Sequence, residues 1–143
     1  MNVSVSRQES TMALNILVVD DSRVMRAIII KTLRLSQADL GEVYEAGDGQ
    51  EALKMLDDHW IDLALVDINM PVMDGGEMIE RLRQNPATAD LPVIIVSTEG
   101  SETRKEVLLQ KGVGFVHKPF TPESLREAIL RTLGGSDEQK AGD

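Results

Sequence analysis

The chain contains no cysteine, so it has neither a disulfide framework nor a thiolate metal site, as suits a reducing compartment. Aromatic residues make up only 3% of it, and a core must therefore be assembled from Ile, Leu, Val, Met and Ala. No apolar run approaches the roughly 20 residues that a membrane-spanning helix needs. The opening residues Met1-Asn2-Val3-Ser4-Val5 lack the basic start and apolar centre of a secretion signal. These absences predict a cytoplasmic protein with no membrane insertion. Positive charge is scarce as well: 15 Lys and Arg stand against 24 Asp and Glu, a formal net charge of −9. Nucleic acid is thereby disfavoured as a direct partner, because its phosphates are held mainly by clustered cations. The acid excess by itself demands no function, since it also keeps a surface hydrated.

The 143 residues, 42% apolar and 27% charged, fit one globular domain. Residues 1–12 are polar and aperiodic and read as a flexible amino-terminal extension. The domain is expected over 13–133, and a flexible polar tail, 134–143, opens with Gly134-Gly135-Ser136. Within the domain, strand-like runs at about Asn15 to Val19, Glu42 to Ala46, Asp62 to Val66, Pro92 to Val96 and Val113 to His117 alternate with segments of helical period. Five βα units in succession imply a parallel sheet covered by helices on both faces. The second run carries Glu42 and Glu45 and reads as an edge strand; the first, third and fourth are aliphatic and read as central.

The helices have their own signals. Ser22 to Leu35 sets Arg23, Arg26, Lys31 and Arg34 toward one side and Val24, Ala27, Ile28 and Leu35 toward the others. Asp48 and Glu51 form a capping box for the second helix. Asn85-Pro86 stops the third, and Ser101 and Gly112 can bound the fourth. Thr121-Pro122 opens the fifth, with Leu125, Ala128, Ile129 and Leu133 facing inward.

Chemistry gathers where the strands end. Asp20 and Asp21 follow the first run, Asp67 the third, Ser97 the fourth and Lys118 the fifth. In an open parallel sheet ligands bind at the carboxyl ends of the strands. If the strand order is 2-1-3-4-5, three carboxylates, a hydroxyl and an ammonium converge. Converging carboxylates repel unless a cation lies among them, and magnesium takes one or two protein carboxylates with waters and phosphate oxygens. A strand-end Asp is also a plausible nucleophile toward phosphorus, because its attack requires no proton removal. Each residue has a plainer reading: Asp21 or Asp67 as a helix N-cap, Ser97 bonded to backbone, Lys118 solvated at the surface. Convergence is what favours the chemical one. His59 and His117 lack ligand-like spacing. Trp60, Tyr44 and Phe120 read as packing groups.

Taken together, Val19-Asp20-Asp21-Ser22, Asp67 to Gly75, Val96-Ser97-Thr98-Glu99 and His117-Lys118-Pro119-Phe120 resemble the receiver domain of bacterial two-component response regulators, most closely its single-domain, chemotaxis CheY-like members. The resemblance covers about Leu14 to Leu133. It implies a doubly wound (βα)5 flavodoxin-like α/β fold with sheet order 2-1-3-4-5, and phosphorylation of Asp67 by a histidine kinase. It places Asp20, Asp21, Asp67 and the Asn69 backbone carbonyl at Mg2+, for which Mn2+ can substitute. Ser97 and Lys118 then bind the phosphoryl group, Ser97 and Phe115 form the switch, and Asn69 and Glu99 set how fast the phosphate is lost.

The resemblance further implies a cis bond before Pro119 and an output surface of fourth helix, fifth strand and fifth helix, about Ser101 to Leu133, that takes a phosphorylation-dependent protein partner. The chain departs from the family pattern at Thr98, larger than the usual small residue, and at Phe115, which lacks the hydroxyl of the Tyr found in many chemotaxis members. Such a protein is a phosphoacceptor that catalyses its own phosphotransfer and dephosphorylation, not a turnover enzyme. The alternative is a phosphorelay intermediate or phosphate sink without a read-out partner. A phosphohydrolase resembling the haloacid dehalogenase group would need an acid where Asn69 stands, and a cap domain.

Overall fold

The aliphatic runs are strands, and their neighbours in space are those that the doubly wound order requires. The computed structural model describes residues 13–67, 75–97 and 113–142. In it β1 (Leu14–Val19), β2 (Leu40–Ala46), β3 (Leu63–Val66), β4 (Val93–Ser97) and β5 (Val113–His117) pair in the order β2-β1-β3-β4-β5. All the pairings are parallel. Helices α1 (Arg23–Leu35), α2 (Gly49–Asp58) and α3 (Gly75–Gln84) alternate with the strands, and a C-terminal helix, Pro122–Gly142, follows β5. This is the expected flavodoxin-like architecture, with the acid-bearing β2 at an edge and β1, β3 and β4 inside. The fourth helix expected from Ser101 to Gly112 lies outside the described residues.

Side-chain alternation along the strands divides the core into two layers. Leu17, Val19, Ala64, Val66, Val93 and Ile95 pack with Ala52 of α2 and Met78, Ile79 and Leu82 of α3. Ile16, Val18, Leu63, Leu65, Ile94 and Val96 pack with Ile29 and Leu33 of α1 and Leu125, Ala128 and Ile129 of the C-terminal helix. A one-residue slip of any central strand would exchange its two faces, so burial on both sides fixes the register that aligns the strand ends. The one irregularity falls between Leu14 and Ile16, where β1 shifts register against β2. There the Asn15 side chain accepts a bond from the Glu42 amide at 2.9 Å. Only a glycine at position 41 leaves room for it, since a Cβ would collide with Asn15 Oδ1.

Helix caps match the local sequence with one correction. Asp48 caps α2 through the Glu51 amide at 2.9 Å, and Glu51 reaches back to the Gly47 amide at 2.7 Å. Thr121 and Ser124 cap the C-terminal helix reciprocally, at 3.0 and 2.9 Å. The N-cap of α1 is Ser22, whose hydroxyl accepts from the Met25 amide at 3.1 Å. Asp21 is thus not the cap and is left for other work.

Two inward faces differ from those the sequence suggests. On α1 the buried residues are Ile29 and Leu33, while Val24, Ile28 and Leu35 are 69%, 46% and 60% exposed. The four cations occupy one side of this helix and leave more than one apolar stripe on the rest of it, and the contact with β1 selects the Ile29–Leu33 pair. In the C-terminal helix Leu133 is 42% exposed. Thr132 takes the inward position instead, so close over Gly114 that a Cβ there would strike its hydroxyl; Leu133 is then turned about 100° away. Helical backbone also continues past Leu133 to Gly142, where the sequence reading begins a tail. Residues 138–141, Glu-Gln-Lys-Ala, are good helix formers and no proline interrupts them.

Candidate functional site

Asp20 leaves β1 and Asp67 leaves β3, and these strands are adjacent. The Asp67 amide donates to the Val19 carbonyl at 2.8 Å, so the ladder itself delivers both acids to one edge. Asp20 is 1% and Asp67 8% exposed, while Asp21 faces outward. One carboxylate oxygen from each of Asp20, Asp21 and Asp67 lies within 4.8 Å of the others. This is the one such group of potential metal ligands among the described residues.

Lys118 enters from β5. Its Nζ stands 3.3 Å from Asp20 Oδ2 and 4.0 Å from Asp67 Oδ1. The Lys118–Pro119 bond is cis, as the resemblance implies. Asp20 is held from three further directions. Its Oδ1 accepts from the Ser22 amide at 2.9 Å, its own amide donates to the Ala46 carbonyl at 3.1 Å, and its carbonyl accepts from Arg26 Nη1 at 2.6 Å. Arg26 is braced in turn by Glu45 at 2.9 Å. This bracing role of Arg26 is invisible in the sequence, where it reads as one of a row of helix cations; its place one turn past Ser22 is the sole hint.

Ser97 ends β4 opposite His117 of β5, one residue from Lys118. Phe115 is half-buried, packs on the α2–α3 side of the sheet, and lies 5.1 Å from the His117 ring at an angle of 54°. His59 stacks on Tyr44 at 4.3 Å, far from ligand duty. Tyr44 and Phe120 pack against the core as expected. Trp60 does not: it is 78% exposed, because it lies in the connection between α2 and β3 with its indole N–H tied to Asp62 at 2.9 Å. Asn69, Thr98 and Glu99 lie outside the described residues.

Three carboxylates against one ammonium leave an excess of negative charge in a largely buried place. Hard oxygen donors of this kind suit a divalent cation such as Mg2+, so the donor set fits the metal.

The chain matches the response regulator receiver domain model over residues 16–130. The chain belongs to that family. It is 40% identical to a chemotaxis protein CheY homolog of Campylobacter jejuni, over 90% of this chain and 99% of the relative. Chemotaxis protein CheY1 of Helicobacter pylori is 37% identical over 87% of this chain and 100% of its own length. The structure of CheY4 from Vibrio cholerae superposes with a TM-score of 0.75 at 33% identity, over 85% of this chain and 99% of that one. Receiver domains accept phosphoryl groups, bind Mg2+ at an acidic pocket, and interact with histidine kinases and downstream targets. The acid cluster at the strand ends is this receiver's counterpart of that pocket. No described helix is long and apolar enough to cross a membrane.

Proposed function

We propose that Asp67 accepts a phosphoryl group from a histidine kinase, and that the modified state alters partner binding over about Ser101 to Leu133, a stretch that includes β5 and the start of the C-terminal helix. The carrying observation is the meeting of Asp20, Asp21 and Asp67 within 4.8 Å, with Lys118 3.3 Å from Asp20. An Asp67 oxygen attacks the phosphorus of a phosphohistidine. The new O–P bond forms as the P–N bond breaks, and the imidazole leaves with the electron pair and takes a proton from solvent. Asp20, Asp21 and Asp67, with the Asn69 carbonyl, would hold Mg2+, which neutralises charge on the transferring group.

Lys118 then exchanges its carboxylate neighbours for a phosphoryl oxygen, as a point charge can. Ser97 donates its hydroxyl to another. The phosphoryl group brings about −1.5 to −2 charge and new acceptor oxygens, and Phe115 repacks as Ser97 moves. Without a phenolic hydroxyl at 115, the switch rests on packing alone. Phosphorylation shifts the equilibrium only by its differential stabilisation of the two states. Turnover of external substrates forms no part of this role; Asn69 and Glu99 govern how fast the protein discharges itself.

Capture experiments with beads carrying the acyl-phosphate-treated protein, the untreated protein and an Asp67→Asn variant test the switch. State-dependent recovery of a partner other than a kinase is expected. Recovery of kinase alone, identical in all states, would replace the switch with the relay or sink reading.

A further inference from the structure

The opposite end of the sheet carries a second surface with chemistry of its own. A groove of about 680 Å3 runs between the α2–β3 and α3–β4 connections. Its apolar wall includes Leu56, Ile61 and Leu91, and its charged rim is Asp57, Asp58 and Asp90. Trp60 stands in it as the most exposed large apolar side chain described, at 78%. The indole is held by design of the backbone around it. Its Nε1 donates to Asp62 Oδ1 at 2.9 Å, the Trp60 backbone carbonyl accepts from Asn15 Nδ2 at 3.1 Å, and Asp62 Oδ2 accepts from the Asn15 backbone amide at 2.9 Å. An aromatic face fixed in solvent next to carboxylates suits a cation, because the ring quadrupole attracts it and the acids neutralise it.

Two of the rim acids stand where the fold gains nothing from them, whereas Asp90 already faces the charge of Arg83. Asp57 and Asp58 close α2, whose last turn has no basic residue. Negative charge at a helix C-terminus opposes the helix dipole and costs stability. Neither acid has an ion-pair partner among the described residues. A ligand cation would relieve that cost while covering the exposed ring.

We propose that this groove docks a basic segment of a partner protein, seating an Arg or Lys side chain against Trp60 beside Asp57 and Asp58. Arg suits it better than Lys, since a guanidinium both stacks on an indole and forks to a carboxylate. A segment bound there leaves the Asp20, Asp21 and Asp67 cluster open, because β3 separates the two ends of the sheet.

Trp60 is the only tryptophan in the chain, so its emission reports binding at the groove. The full chain is titrated with a glycine-serine nonapeptide bearing three arginines, in buffer containing Mg2+ so that the acids at the far edge are engaged. A saturable change in emission is expected, with no response to the same peptide carrying glutamates. The Asp57→Asn/Asp58→Asn double variant should bind about tenfold more weakly, while melting at the same or a higher temperature. Silence toward the arginine peptide, an equal response to the glutamate peptide, or unchanged affinity in the double variant would overturn the proposal. So would a matching emission change on removing residues 1–12, or on raising the protein concentration alone, since the groove would then be filled by the chain's own amino-terminal residues or by a second copy.

Discussion

At the scale of single residues, the site sets an unfavourable concentration of like charge against one lysine, and a divalent cation would offset more of it. Asp20→Asn removes one of the carboxylates while keeping an acceptor for the Ser22 amide. In metal-free buffer the variant should therefore melt higher than the parent, with a gain on the order of 1 kcal/mol. Its Mg2+ affinity, read by calorimetric titration, should fall at least about tenfold. Lys118→Ala has the opposite sign: it leaves Asp20 and Asp67 without their ammonium, so the metal-free protein is destabilised and added Mg2+ restores much of the loss. Equal melting of both variants and parent would mean that the cluster is not under electrostatic strain. These residues are legible in the sequence because each follows an aliphatic run, and a parallel sheet brings the ends of such runs together. Trp60 is not legible, since nothing local tells an aromatic residue whether a neighbouring connection covers it.

Elements are where local pattern and tertiary contact compete. All five strands fall within two residues of the positions their aliphatic character predicts, because each is bounded by turn residues and buried on a sheet. Helix orientation is less determined. α1 offers both a Val24–Ile28 stripe and an Ile29–Leu33 stripe, and only the sheet decides between them. Leu33→Ala should cost about 3 kcal/mol in urea unfolding, whereas Ile28→Ala, on the exposed face, should stay within about 0.5 kcal/mol. Comparable losses at both positions would mean that α1 is rotated from its described orientation. At the start of the C-terminal helix, Thr121→Ala removes the acceptor for the Ser124 amide and should cost about 1 kcal/mol.

For the whole molecule, strand order is the property that turns sequence into function. Placing β1 beside β3 sets residues 20 and 67 on neighbouring strand ends, and placing β5 beyond β4 lets Lys118 reach back across the edge. The same order leaves the opposite end free for the Trp60 groove, so one small domain carries two separated surfaces of unlike chemistry. Because the acid cluster exists only in the folded chain, Mg2+ should stabilise it by mass action, by about 2.7 kcal/mol at a hundred times its dissociation constant. The central claim is that Asp67, and neither of its two acidic neighbours, takes the phosphoryl group. Treatment with a small acyl phosphate and Mg2+, reduction with borohydride and peptide mapping converts the phosphorylated aspartate to homoserine. The account predicts homoserine at position 67 alone and none when Mg2+ is withheld; homoserine at 20 or 21, or no conversion with Mg2+ present, would contradict it.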